Sequence, residues 1–364
     1  MAVTEDIPQR TFSPLHTALL TVDHQRRWLA GIYDALGLGP QSAPHERLET
    51  ASSASVRRYA GAAADGPAVL LVPAPIKTPD IWDLSPTASV VQQHLDAGFR
   101  VYLVEWPDAT EADGPLGLQD YADRMLSACV DAVRRDTGED RLLLSGHSLG
   151  GTLAALFAAG HPDVIRGLVV LGAPLHFAPE TGALARVVAS YPDTPVDAAD
   201  GSVIPGSMLN LIGVTASPQT FVYQRATDLL SSLGHPDRLR CHLLVERWTL
   251  GESAMPRQLF SDLVTILYRQ DGFMTRRVSI AGRSVAPGDI HAPVGCVLNR
   301  QCEIASPASV LPVLDALGTD DRALFWYEDE PGVSLQHVGM MVGASAHRDL
   351  WPRVLTWMKD RSQT

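Results

Sequence analysis

Residues 142–159 read LLLSGHSLGGTLAALFAA, an apolar run followed by a glycine-rich turn and a stretch of small residues. This pattern predicts a β-strand that passes through a tight turn into an α-helix. The turn has the form Gly-x-Ser-x-Gly around Ser148, with Gly146 and Gly150 at the two positions where a Cβ atom would obstruct it. We therefore expect Ser148 to project from the carboxyl edge of a sheet at the positive end of a helix, as a nucleophile does. The alternative is a glycine-rich turn that only packs.

Further short apolar runs lie on both sides of this stretch. They are separated by segments with helical spacing, Ser89–Ala97 and Leu118–Arg135. Strands that are apolar on both faces and alternate with helices indicate a parallel sheet covered on both sides. The predicted strands are Val69–Val72, Val101–Glu105, Leu142–Leu144, Gly167–Gly172, Val294–Leu298 and Ala323–Tyr327.

The alternation stops between residues 177 and 288. This interval holds helical patterns around Leu229 and Phe260–Tyr268, and then Val278–Val285, which is typical of a hairpin. An insertion of this length between two halves of a sheet predicts a cap or lid. We predict an N-terminal helical segment at 1–50, with a helix at Leu19–Leu38, a core formed by 51–176 and 289–364, and a cap formed by 177–288.

The composition excludes several classes of function. The 364 residues are 46% apolar and carry a net charge of −12 that is spread along the chain. Such a surface disfavours nucleic acid and anionic membranes as partners, and no apolar run is long enough to cross a bilayer. Four cysteines without metal-ligand spacing and an acidic first segment favour a cytoplasmic protein. No dinucleotide or metal motif is present, so we expect no cofactor and no metal.

A nucleophilic serine needs a base, and in this kind of fold the base follows it in the chain. His337 lies between the last predicted strand and the last predicted helix, Ala346–Lys359, where the base of a catalytic triad belongs. His147 and His161 have packing or capping as simpler explanations. The third member of such a triad is normally an acid, which is expected here in the loop after Val294–Leu298. That loop offers Glu303 but no aspartate.

An oxyanion needs two backbone donors. One is predicted to be the N–H group of Leu149, directly after the nucleophile. The other is expected in the loop after the first core strand, Pro73-Ala74-Pro75-Ile76-Lys77. Because proline has no N–H group, Ile76 is the candidate, and a proline-rich turn without a catalytic role is the alternative.

From about Ser52 to its end, the chain resembles polyhydroxyalkanoate synthases, especially the short type that works with a second subunit. The resemblance rests on motifs in both the predicted core and the predicted cap. They are Ile76–Leu84, Val101–Trp106, Gly117–Tyr121, Ile204-Pro205-Gly206, Glu246-Arg247-Trp248 and Ile280–Arg283. It implies the α/β-hydrolase fold, with a mostly parallel central sheet, helices on both faces and an inserted cap.

The resemblance also implies chemistry, with two departures. The synthases use cysteine, histidine and aspartate to move hydroxyacyl groups from coenzyme A thioesters onto a growing polyester. Here Ser148 stands in place of their cysteine, Cys302 stands in place of their aspartate, and His337 is retained. A neutral thiol is a poor partner for an imidazolium. Glu303 is therefore our first candidate for a replacement acid, and Glu180 is the second.

These observations predict a serine-dependent acyltransferase. It would take an acyl group from a thioester of coenzyme A or a carrier protein and pass it to an alcohol or amine through an acyl-serine intermediate. An esterase or thioesterase is the alternative, and a catalytically weak partner subunit is the second alternative. A homodimer or a second subunit remains open as a partner.

Overall fold

The centre of the protein is an eight-stranded β-sheet. The computed structural model describes residues 14–61, 65–190 and 203–362, so the first 13 residues of the predicted N-terminal segment and residues 191–202 of the predicted cap lie outside the described residues. The strands are β1 (His45–Glu49), β2 (Ser55–Tyr59), β3 (Ala68–Val72), β4 (Arg100–Glu105), β5 (Leu142–His147), β6 (Ile165–Leu171), β7 (Val294–Asn299) and β8 (Arg322–Tyr327).

The strands follow the order β1-β2-β4-β3-β5-β6-β7-β8. Strand β2 runs antiparallel to both β1 and β4, and the other neighbouring strands of this sheet are parallel. The six strands predicted from apolar runs are confirmed. The prediction of a helical segment up to residue 50 missed β1, whose sequence HERLE is polar because the strand lies exposed at the sheet edge. The carboxyl ends of β3, β5, β7 and β8 share one edge of the sheet, so the loops that follow them can meet.

Helices connect the strands. They are α1 (Pro14–Ala35), α2 (Val90–Asp96), α3 (Leu126–Thr137), α4 (Leu149–Gly160), α5 (Ala183–Ser190), α6 (Gly206–Ala216), α7 (Gln224–Ser232), α8 (Pro236–Thr249), α9 (Arg257–Asp262), α10 (Leu311–Asp315), α11 (Gln336–Val342) and α12 (Trp351–Ser362). Wider π-helical turns occur at Asp120–Met125, Gln219–Tyr223, Leu263–Arg269 and Ala346–Leu350, and 3₁₀ turns at Pro79–Trp82, Glu111–Asp113, Pro162–Val164, Pro179–Thr181, Pro287–Asp289 and Pro307–Ser309.

Two hydrophobic cores lie on opposite faces of the sheet. Alternate residues of each strand point to opposite faces, so in β3 Leu70 and Val72 enter one core and Val69 and Leu71 enter the other. The first core includes Phe157 of α4, and the second includes residues of α2, α11 and α12. Burial on both faces explains why the strands are continuous apolar runs in the sequence.

The segment between β6 and β7 contains α5 to α9 and ends in a hairpin. Val278–Ile280 pairs antiparallel with Arg283–Val285, and the turn between them has positive φ angles at Ala281 and Gly282, which confirms the predicted hairpin. Two pairs of two-residue or three-residue strands complete the described strands: Val203–Ile204 with Met255–Pro256, and Asp83–Ser85 with Ala88–Ser89.

Helix α1 packs on this intervening segment. It begins at Pro14, five residues before the predicted start, and ends at Ala35. The carboxylate of Asp23 accepts a hydrogen bond from the backbone N–H of Ser207 at 2.7 Å, and Asp34 forms a bidentate ion pair with Arg247. Among the described residues, no helix combines the length and the apolar character that a membrane-spanning helix requires.

Candidate active site

Ser148 stands at the junction of β5 and α4. Its φ of 55° and ψ of −133° form a conformation that is strained for a residue with a side chain. The turn requires the glycines on either side. A Cβ atom at Gly146 would lie 2.6 Å from the Cα of Gly151, and one at Gly150 would lie 2.2 Å from the backbone oxygen of Val72. The predicted strand, turn and helix are therefore confirmed, and Ser148 is half-buried at the carboxyl edge of the sheet.

His337 faces Ser148 across this edge. Its Nε2 atom lies 2.9 Å from the Oγ atom of Ser148, which is hydrogen-bond distance for proton transfer. The histidine is the second residue of α11, whereas the sequence had indicated a loop between the last strand and the last helix. Burial, assisted by the neighbouring His147, lowers the pKa of His337 well below its ordinary value. The ring is therefore neutral at pH 7 and able to accept a proton.

Cys302 occupies the other side of the His337 ring. Its Sγ atom lies 3.3 Å from Nδ1 and also accepts a hydrogen bond from the backbone N–H of Ala305 at 3.4 Å. Burial raises the pKa of the Cys302 thiol to about 11, so the partner of Nδ1 is uncharged at pH 7. If Nε2 is to accept the proton of Ser148, Nδ1 must carry the ring proton. The Nδ1–H group then donates a hydrogen bond to the sulfur.

Neither predicted replacement acid contacts His337. The carboxylate of Glu303 instead accepts hydrogen bonds from the hydroxyl groups of Ser217 and Thr220, in the intervening segment. Glu303 directly follows Cys302 in the chain, but its side chain reaches Ser217, the residue after α6, and Thr220 in the turn Gln219–Tyr223. Glu180 is exposed in the turn Pro179–Thr181. The structure therefore does not support the expectation that Glu303 orients the histidine.

His147 packs against His337, as the sequence indicated. Its ring centroid lies 4.9 Å from that of His337, and its Nε2 atom lies 3.3 Å from the backbone oxygen of the same residue. Burial lowers the pKa of His147 to about 4, so its ring is neutral at pH 7.

The two predicted oxyanion donors belong to residues that line one cavity with Ser148. These are Leu149, the first residue of α4, and Ile76 in the loop after β3. The indole of Trp106 donates a hydrogen bond to the backbone oxygen of Pro73 at 2.8 Å, and the N–H of Lys77 donates to Ala74 at 3.3 Å. The loop is thus held from both ends beside the serine.

The cavity has a volume of about 270 Å³ and is mostly apolar. It lies between the carboxyl edge of the sheet and the intervening segment, which supplies most of its wall. Apolar side chains of that segment are Leu184, Val188, Leu209, Ile212, Phe221, Met255, Phe260, Leu263, Val264 and Leu267. Such a wall suits a hydrocarbon chain and lowers the access of water to the serine.

One side of the cavity wall carries buried charges. The Nζ atom of Lys77 lies 2.8 Å from Glu252, donates to the backbone oxygen of Thr249 at 2.7 Å and lies 5.1 Å from the ring centroid of Trp248. Burial lowers the pKa of Lys77 to about 8, although Glu252 opposes the shift. Arg26 of α1 pairs with the same carboxylate at 2.8 Å. These contacts join the loop of Ile76 to the intervening segment.

Sequence reasoning missed the polar residues of the intervening segment that line the cavity together with Ser148. Arg225, Glu252 and Asn210 line the cavity, and they lie 62 to 104 residues from Ser148 with no local motif around them. Within the described parts of the chain, no group of three or more histidine, cysteine or acidic side chains could hold a metal ion.

A comparison with protein-family models matches residues 67–217 to the alpha/beta hydrolase fold. The match covers β3 to β6 and the turn at Ser148, and the strand order of the whole sheet agrees with it. The chain has the α/β-hydrolase fold. A solved α/β hydrolase fold protein from Nakamurella multipartita superposes with a TM-score of 0.51 at 19% identity, over 88% of this chain and all of the other. This likeness concerns the fold alone.

Several curated relatives of this α/β-hydrolase-fold chain are poly(3-hydroxyalkanoate) polymerase subunits. The subunit PhaC of Haloferax mediterranei is 28% identical over 298 residues, which are 81% of this chain and 59% of the relative. The subunit PhaC of Allochromatium vinosum is 26% identical over 294 residues, 80% of this chain and 81% of the relative. The predicted resemblance to polyhydroxyalkanoate synthases is confirmed, although the chain spans less than two thirds of the length of the Haloferax mediterranei subunit.

Proposed function

We propose that this protein is an acyltransferase that works through an acyl-serine intermediate. Ser148 is the nucleophile and His337 is the base. The observation that carries the proposal is the 2.9 Å contact between Oγ and Nε2 at the mouth of an apolar cavity. Similarity to poly(3-hydroxyalkanoate) polymerases over about 80% of the chain supports acyl transfer as the reaction class.

In the proposed first half-reaction, Ser148 attacks the carbonyl carbon of an acyl thioester of coenzyme A or a carrier protein. Its proton passes to Nε2 of His337, and the negative charge on the carbonyl oxygen is stabilised by the N–H groups of Leu149 and Ile76. The carbon–sulfur bond then breaks, and the leaving thiolate takes the proton from the imidazolium. In the second half-reaction an alcohol or amine gives its proton to His337 and attacks the carbonyl carbon of the acyl-serine. The bond between this carbon and Oγ then breaks, and Ser148 takes the proton back from the imidazolium.

Cys302 has an orienting role in this proposal. The sulfur holds the Nδ1–H tautomer that the base needs, but it is uncharged and stabilises the imidazolium less than a carboxylate does. In serine proteases, loss of the orienting acid lowers kcat by about 10⁴. We therefore expect slow turnover compared with enzymes that have a complete Ser-His-Asp triad.

An esterase or thioesterase is the second candidate. The observation that favours it is the nucleophile itself, because a seryl oxyester is less activated than a cysteinyl thioester and suits hydrolysis or a single transfer. The two candidates differ in the acceptor. Water clears the acyl group in one, and an added alcohol or amine outcompetes water in the other.

Intact-protein mass spectrometry tests the proposal. The wild-type protein, Ser148→Ala and Ser145→Ala are mixed with butyryl-, 3-hydroxybutyryl- and octanoyl-coenzyme A. Ser145 is the matched control, because its buried hydroxyl has no hydrogen-bond partner among the described residues and it lies three residues before Ser148, in β5. We expect an acyl mass on the wild type and on Ser145→Ala, and none on Ser148→Ala. Absence of both an adduct and thioester loss in the wild type would favour a catalytically weak partner subunit.

Addition of alcohols and amines to the acylated protein then separates the two candidates. Faster loss of the acyl mass, with formation of the matching ester or amide, supports transfer. Loss at one rate whatever nucleophile is added supports hydrolysis.

A further inference from the structure

The loop that precedes α11 turns sharply shortly before it reaches His337. It runs from the end of β8 to the start of α11 and has positive φ angles at Gly332 (95°) and Ser334 (59°). The second of these is unfavourable for a residue with a side chain. Ser334 is fully buried and lies three residues before His337. This conformation needs contacts from outside the loop to hold it.

A single carboxylate from α7 supplies those contacts. Asp228 accepts a hydrogen bond from the backbone N–H of Gly332 at 2.7 Å and another from that of Ser334 at 2.8 Å. The carboxylate forms a third hydrogen bond with Nδ1 of His242, in α8, at 2.7 Å. Burial acts to raise the pKa of Asp228, but these three hydrogen bonds outweigh it and hold the pKa below its ordinary value.

Helix α8 adds a second contact to the same turn. The hydroxyl of Ser334 donates a hydrogen bond to Glu246, and Arg225 holds the Glu246 carboxylate with two hydrogen bonds of 2.9 and 2.6 Å. Arg225 also lines the cavity beside Ser148. Hydrogen bonds through Arg225, Glu246 and Ser334 therefore connect the cavity wall with the turn before His337.

This anchoring matters because Nδ1 of His337 has only the uncharged sulfur of Cys302 as its partner. In a triad with an acid, the carboxylate itself fixes the direction of the imidazole. Here the sulfur contact of 3.3 Å is weak, so the direction of the ring depends more on where the backbone of residues 332–337 is held. A displacement of about 1 Å at a reacting group can cost about 10² in rate.

We propose that Asp228 is a positioning residue for His337, and that it acts by holding the backbone of Gly332 and Ser334 with the help of Glu246. The proposal rests on the proposed role of His337 as the base for Ser148. It assigns to the segment between β6 and β7 a task beyond forming the cavity wall, namely alignment of the catalytic base.

The control is Asp123, which also contacts a histidine and accepts a backbone N–H group of a turn. Its carboxylate contacts His161 at 2.7 Å and accepts the backbone N–H of Ala281, a residue with φ of 52°, at 2.8 Å. That turn belongs to the hairpin and lies away from His337. Asp228→Asn and Asp123→Asn each remove a carboxylate that contacts a histidine and accepts backbone N–H groups of a turn, and only Asp228 contacts the loop before α11.

The test uses the full chain, p-nitrophenyl octanoate as substrate and a fluorophosphonate probe for Ser148. We expect Asp228→Asn to lower kcat and the labelling rate at least tenfold, with KM changed less than twofold, and Asp123→Asn to leave both within twofold. Ser334→Ala, which keeps the backbone donor but removes the contact with Glu246, should show a fall of roughly threefold and serves if Asp228→Asn does not fold. Unchanged kcat in Asp228→Asn, or equal losses in both aspartate variants, would overturn the proposal.

A double variant shows whether Asp228 acts through the histidine. In a His337→Ala background, Asp228→Asn should lower the labelling rate no further, because there is no base left to position. An additional tenfold loss in that background contradicts the proposal. Failure of the proposed function is recognised separately, because Ser148→Ala would then label and turn over substrate as the wild type does.

Discussion

The Sγ atom of Cys302 lies 3.3 Å from Nδ1 of His337, on the side of the ring opposite Ser148. The position that usually holds a carboxylate is thus filled by a buried, neutral thiol. The serine and histidine keep a geometry suited to acyl chemistry, while the group that would stabilise the imidazolium is absent from its place. This combination leads to the following expectations.

Cys302→Asp should increase activity. A carboxylate at this position stabilises the imidazolium, so kcat for p-nitrophenyl octanoate should rise at least tenfold, with about 10⁴ as the upper limit. An opposite charge also raises the pKa of the histidine by about 1–3 units, so the acid limb of the pH profile should move upward. Cys302→Ala is the control and should lower kcat. A decrease in both variants, with folded protein, argues against this interpretation of the site.

The wild-type protein should keep its activity in mild acid. The pKa of His337 lies well below its ordinary value, mainly because of burial, so the ring stays neutral and basic below the usual histidine pKa of about 6.5. We expect kcat/KM to remain level from pH 8 to below 6.5. A half-maximal rate at pH 7 would contradict this expectation.

Glu303→Gln should leave catalysis nearly unchanged. The carboxylate holds Ser217 and Thr220 and does not contact the imidazole, so kcat should stay within twofold. Loss of charged hydrogen bonds should lower the free energy of unfolding by about 1–2 kcal/mol, measured by urea titration. A hundredfold fall in kcat without a change in stability would instead identify Glu303 as the missing acid.

Val264→Trp should shorten the acyl chain that the cavity accepts. Val264 lines the apolar wall, and each methylene that loses its place there costs about 0.8 kcal/mol of binding free energy. The ratio of kcat/KM for p-nitrophenyl octanoate to that for p-nitrophenyl acetate should fall roughly tenfold. Val222→Trp, at an exposed position of the same segment, is the control and should leave the ratio unchanged.

Lys77 should make the stability depend on pH in mild alkali. Its pKa is about 8 in the folded protein and about 10.4 in the unfolded chain. Between these values only the unfolded state keeps the proton, so the free energy of unfolding should rise with pH by about 1.4 kcal/mol per unit. The free energy of unfolding of the wild type should therefore increase relative to that of Lys77→Met from pH 8 to 10. Lys359→Met, at an exposed helix end, should show no such trend.

The sequence by itself determined six strands of the central sheet, the turn at Ser148 and the two residues proposed to react, Ser148 and His337. Runs such as Val69–Val72 are apolar on both faces because both faces are buried, and the turn at Ser148 needs glycines at fixed spacing. These signals are local, so they can be recognised without coordinates. His337 could be found because chain order in this fold restricts where a base can lie.

Only the tertiary structure decided which side chains surround the histidine. Glu303 stands next to Cys302 in the chain, but its side chain reaches Ser217 instead of the imidazole. Asp228 lies more than 100 residues from Ser334 in the sequence and still accepts its backbone N–H. A hydrogen bond depends on distances of about 3 Å and on direction, and sequence spacing does not specify these between segments that meet only when the chain folds.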